Sequence, residues 1–100
     1  MPNIYTGTVN ASPPTNALIG ASSTTAVPQN INRQGLIVTN LSASTMYIGL
    51  AGNTAVLNAG IVLMPNGGLW VMDEYNYNNE AVTAIAHSAG NILAIQEFIR

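Results

Sequence analysis

Side chains able to do acid–base, nucleophilic or metal chemistry are few in this 100-residue chain, and the acids are crowded into one stretch. Asp73, Glu74 and Glu80, three of the four acids, stand with Asn76, Asn78 and Asn79 inside eight residues. Hard cations such as Ca²⁺ take about six to eight oxygen ligands of these types, so this is where a cation would be sought. The spacing departs from the EF-hand loop, and in a strand Asp73 and Glu74 would point to opposite faces. A solvated hairpin tip is the simpler expectation, with no metal bound.

The other candidates are single residues. His87 is the one histidine, and a general-acid role would need a carboxylate or nucleophile beside it, which its neighbours Ser88, Ala89 and Gly90 do not supply. A loop histidine bonded to local backbone is expected. Trp70, Tyr75 and Tyr77 could stack on a sugar, but Trp70 alternates with Leu69 and Val71 as a ring packed on a sheet does. No Gly-x-Ser-x-Gly elbow or Ser-x-x-Lys motif occurs, and the chain has neither lysine nor cysteine. That removes thiol nucleophiles, disulfides and zinc knuckles. Gly67-Gly68 precedes no helix and makes no phosphate cradle. No catalysis and no cofactor are expected. Arg33 is the one cation before the terminal Arg100; it can pair with a partner's carboxylate or with Glu97 or Glu80 of its own chain, and the pair within the chain is the expected one.

Only 6% of the residues are charged, against 48% hydrophobic, with a formal charge of −2. Soluble domains carry about a quarter of their residues as charges, which keep surfaces wet and copies apart. Here asparagine, threonine, serine and glycine must do that work, and self-association is permitted. No basic patch exists to neutralise phosphates, so nucleic-acid binding is not expected. No stretch reads as a membrane span, and Met1-Pro2-Asn3-Ile4-Tyr5 lacks the basic and apolar regions of a secretory signal. Without secretion, the glycosylation patterns Asn10-Ala11-Ser12 and Asn40-Leu41-Ser42 read as accidents of an Asn-rich chain.

The elements that must carry these residues are strands. Residues 1–32 read as an extended arm and residues 33–100 as a β-body, one domain in all. In the arm, Ile4 to Val9 and Thr24 to Ile31 read as extended, separated by the stiff break Ser12-Pro13-Pro14-Thr15-Asn16. Pro28 places the second segment at a sheet edge or a bulge. In the body, strands are expected at Gly35 to Asn40, Thr45 to Leu50, Gly60 to Met64, Leu69 to Tyr75, Ala81 to Ala86 and Ile92 to Ile99, with no helix. Asn66-Gly67 after Pro65 predicts a tight type I′ hairpin, and Ala89-Gly90-Asn91 a similar turn.

Alternation assigns faces. Met46, Ile48 and Leu50 oppose Tyr47 and Gly49; Val82, Ala84 and Ala86 oppose Thr83 and Ile85. In the last strand Leu93, Ile95, Glu97 and Ile99 oppose Ile92, Ala94, Gln96 and Phe98, so both faces are largely apolar. The face turned from the core must meet a neighbouring subunit or the arm.

The ordered set Asn32-Arg33-Gln34-Gly35-Leu36-Ile37-Val38-Thr39-Asn40-Leu41-Ser42, Met46-Tyr47-Ile48-Gly49-Leu50, Gly60 to Gly68, Ala84-Ile85-Ala86 and Leu93-Ala94-Ile95-Gln96-Glu97 resembles small virion structural proteins of tailed bacteriophages. The resemblance covers about residues 30 to 98 and leaves the arm out. Where that family favours Pro-Gly, this chain has Pro65-Asn66-Gly67-Gly68. The resemblance implies a small antiparallel β-sandwich, jelly-roll-like, with an extended N-terminal arm and no catalytic residues. It implies a place on the capsid surface as a decoration or cement protein that stabilises the head, or a place in a tail or fibre. The expected partners are the major capsid protein and copies of the chain itself as a homotrimer. The alternative expectation is a carbohydrate-binding or tail-associated module using Trp70, Tyr75 and Tyr77.

Overall fold

The computed structural model describes residues 10–73 and 76–100. The expected strand over Ile4 to Val9 and the end of the one at Leu69 to Tyr75 lie outside them. Nine strands are formed: β1 (Asn10–Ala11), β2 (Thr15–Ile19), β3 (Thr24–Val27), β4 (Arg33–Asn40), β5 (Met46–Gly49), β6 (Ile61–Leu63), β7 (Leu69–Met72), β8 (Val82–Ala86) and β9 (Asn91–Ile99). There is no helix among the described residues. The chain is all-β, as its alternation predicts.

The strands build two antiparallel sheets. The first runs β1-β9-β4-β7 with β2 also on β9, and the second runs β3-β8-β5-β6. β1 and β2 are one edge strand interrupted at Ser12-Pro13-Pro14, since both pair with β9, at Asn10↔Ile99 and Thr15↔Ile95. After β2 the chain changes sheet at every connection except β5–β6. This order is the double Greek key of a jelly roll. Side chains from the two inner faces meet in one core, with Ile19, Leu36, Val38, Met72 and Leu93 from the first sheet against Val27, Met46, Ile48, Leu63 and Val82 from the second.

Several expectations change in place. Thr15 and Asn16, read as part of a break, begin β2 instead; prolines are tolerated beside them because an outer edge strand can forgo ladder donors. The expected segment from Thr24 to Ile31 pairs only as far as Val27, as an edge strand with a register shift between Thr25 and Val27. Ile19, Ala26 and Val27 belong to the same core as the later strands.

Asn66-Gly67 is not a hairpin turn, because β6 and β7 lie in different sheets. Its positive φ values, 62° and 116°, are used to turn the chain across the sandwich instead. Amide groups of Asn66 and Gly67 donate to the carbonyls of Ser42 and Asn40, each at 2.8 Å. The turn at Ala89-Gly90-Asn91 and the acidic stretch from Asp73 to Glu80 also join one sheet to the other, so neither is a hairpin tip.

Candidate functional site

At one end of the sandwich Arg33 is completely buried, 0% exposed. Burial of a guanidinium is tolerated only when its donors are matched. Nε donates to Glu97 Oε2 at 2.6 Å, Nη1 to the carbonyls of Asn78 at 3.0 Å and Glu80 at 2.8 Å, and Nη2 to the carbonyl of Pro28 at 2.7 Å. The hydroxyl of Tyr77 closes the arrangement by donating to the Arg33 carbonyl at 2.6 Å. One cation thus ties β4, β9, the β3–β4 connection and the β7–β8 connection together. Glu97 is the ion-pair partner, as expected, while Glu80 contributes only its backbone oxygen.

A bulge aims this side chain. Between Arg33 and Gly35 the β4–β9 register slips by one, so Arg33 stands opposite Ile99 and Gly35 opposite Phe98. From Leu36 onward the even positions of β4 face the core; the extra residue, Gln34, shifts the phase and turns Arg33 to the face that carries Glu97. A second buried hub is Asn40, whose amide donates to the carbonyls of Ser44 at 2.7 Å and Leu63 at 3.1 Å and accepts from the Ser42 amide at 2.8 Å. The Asn40-Leu41-Ser42 pattern is therefore a structural turn. Sequence marks Asn40 only as part of a glycosylation pattern and Asn91, whose amide bonds the Ile19 and Ser88 carbonyls, only as part of a turn; the side-chain-to-backbone habit of Asn before Ser is the signal that points to the hub role of the first.

In the acidic stretch, side-chain oxygens serve as turn acceptors. The Asp73 amide donates to Asn76 Oδ1 at 2.6 Å, the Asn76 amide to Asp73 Oδ1 at 3.2 Å, and the Glu80 amide to Asn78 Oδ1 at 2.7 Å. Glu74 lies outside the described residues. Trp70 packs against the core cluster and Tyr77 bonds Arg33, while Tyr75 is not described. His87 meets the Tyr47 ring edge-on at 5.7 Å, with its Nε2 3.5 Å from the Tyr47 hydroxyl, so it bonds a side chain rather than local backbone.

The two outer faces differ. The second sheet's is partly covered by the chain itself: residues of the β5–β6 connection fold over Tyr47 and Ile85, Ala55 is buried there with Leu57 beside it, and Thr83 Oγ1 donates to the Asn53 carbonyl at 2.6 Å, while Val62, opposite Tyr47 on β6, stays exposed. No described segment covers the first sheet's. Its outward positions are Asn16 and Leu18 on β2, Ile92, Ala94, Gln96 and Phe98 on β9, Ile37 and Thr39 on β4, and Leu69 and Val71 on β7. None is charged. Leu18, Leu69 and Val71 are 73%, 58% and 46% exposed. Over the small side chain of Ala94, a dimple of about 170 Å³ opens among Asn16, Ile37, Thr39 and Gln96.

No protein-family model, curated protein or solved structure matches the chain. Its function has to be read from these surfaces. An uncharged, largely apolar sheet face offers no acid–base group; it can bury itself against another protein.

Proposed function

We propose that this chain is a structural protein of a tailed-bacteriophage virion, a capsid decoration or cement protein that sits on the capsid surface and bridges capsomers. The observation that carries the reading is the open outer face of the β1-β9-β4-β7 sheet, apolar and without a charge along four strands. A surface covered in its working state gains from apolar and amide contacts and would suffer from desolvating charges. The described part of the arm does not close that face, because β2 extends the sheet at its edge. The double Greek key is also an architecture shared by many viral shell proteins. The major capsid protein and further copies of the chain, as a homotrimer, are the partners of this reading.

Native mass measurement joined to co-sedimentation with capsids lacking the protein tests it. Stoichiometric binding to such capsids is expected; a chain that remains in the supernatant at every concentration tried overturns the proposal. The carbohydrate-binding alternative has less support, since Trp70 is engaged with the core and the Tyr77 hydroxyl with Arg33.

A further inference from the structure

We infer that the open sheet face is where two copies of this chain pair, face to face, about a two-fold axis running along β4. The inference rests on the assembly reading above and names the occupant of its surface.

A two-fold contact uses one patch twice, so the patch must be complementary to itself. Charge makes that hard, because each carboxylate or ammonium would need its opposite on the same face. This face has none. Of its polar members, Thr39 carries both a donor and an acceptor and stands on the axis, where it can bond its own copy, while Gln96 already donates to the Ser12 and Glu97 carbonyls of its own chain.

Shape agrees with chemistry. Cross-strand register sets Asn16, Ala94, Thr39 and Leu69 in one row, and Gln96, Ile37 and Val71 in the next. The dimple over β9 spans those two rows, and Leu69 and Val71 form a ridge in the same two rows on β7. β4 lies midway between β9 and β7, with about 4.8 Å to each. Rotation by half a turn about a line along β4 keeps each row at its height and exchanges β7 with β9. The ridge of each copy then enters the dimple of the other, and Thr39 faces Thr39. Strands of the two sheets stay aligned, the arrangement in which sheets stack about 10 Å apart. An aliphatic side chain suits the space, since an apolar cavity of about 150 Å³ takes up a benzene ring.

Overlap of three strands over about six residues covers roughly 300 Å² of sheet plane per copy. Even with side-chain relief, that is short of the roughly 800 Å² per partner of a standard stable interface. The pair is therefore weak in dilute solution and forms where copies are concentrated. Being two-fold, it cannot join protomers within one trimer; it joins neighbouring trimers.

The chain has no cysteine, so single-cysteine variants report the axis directly. Thr39→Cys, treated at about millimolar protein with a short bis-maleimide, is expected to give covalent dimers at least tenfold faster than Asn16→Cys, which lies off the axis. Adding Leu69→Asp to Thr39→Cys is expected to abolish the difference, with an unchanged urea midpoint showing that the fold persists. Equal rates for the two cysteine variants overturn the pairing. If rates are equal but Leu69→Asp still releases the protein from capsids, the face docks on the shell protein, so the pairing fails and the assembly reading stands. If Leu69→Asp changes neither cross-linking nor capsid binding, the pairing fails and the open face is not the surface through which the chain assembles; absence of capsid binding by the parent chain is what overturns the assembly reading.

Discussion

Arg33 and Glu97 meet at 2.6 Å inside the sandwich, and they do so because a one-residue bulge at Gln34 turns the arginine to the glutamate's side of the sheet. Removing one partner of a buried pair leaves the other charge desolvated, which costs about 3 to 5 kcal/mol. Arg33→Ala is expected to lose that much in urea unfolding, and the loss includes the carbonyls of Pro28, Asn78 and Glu80. The double variant Arg33→Met with Glu97→Leu should recover part of it, because an apolar pair needs no matching charges. A loss below about 1 kcal/mol for the single variant would show that the clamp is not a determinant of stability.

Asn40 is the corresponding hub at the opposite end. Asn40→Ala leaves the buried Leu63 carbonyl without its side-chain donor, a penalty of about 1 to 3 kcal/mol. Amide hydrogen exchange should rise first at Asn66 and Gly67, whose bonds to Ser42 and Asn40 hold the sheet-to-sheet turn. Exchange that rises uniformly across both sheets would contradict this local role.

Gly49 lets the β5–β6 connection lie close on its sheet. A Cβ there would stand 2.5 Å from Thr83 Oγ1 and 2.8 Å from the Asn53 carbonyl, so Gly49→Ala must displace the bond between those two groups. The expected cost is about 1 to 3 kcal/mol, with thermolysin cutting within residues 51–59 faster than in the parent chain. Cleavage at unchanged rate would mean that the connection is held by Ala55 and Leu57 alone.

Calcium is expected to leave the melting temperature unchanged. The Asp73, Asn76 and Asn78 oxygens already accept backbone amides, and a ligand at about a hundred times its Kd would add roughly 2.7 kcal/mol. A rise of several degrees at millimolar calcium would show that these turns open to form a cation site.

Much of the fold is legible residue by residue, because alternation is a local property. Leu93 and Ile95 face the core and Ile92 faces out for the same reason that consecutive side chains leave a strand on opposite sides. The uncharged outer face could be seen in the alternation of β9 before any partner strand was known. By itself the sequence determined an all-β chain with two apolar faces on its last strand and one cation where the arm meets the β-body. Strand pairing is different, since it depends on contacts between residues far apart in the chain. Asn66-Gly67 tolerates positive φ equally well in a hairpin and in a crossing between sheets; only the partners of β6 and β7 decide which. Pro13-Pro14 reads as a break until the sheet shows that its strand lies at an edge. The bulge at Gln34 has no period of its own, yet it decides whether Arg33 meets solvent or Glu97. Tertiary structure also decided which outer face is the more open, because folding the β5–β6 connection over Tyr47 and Ile85 covers the middle of one sheet, and no described segment does the same for the other.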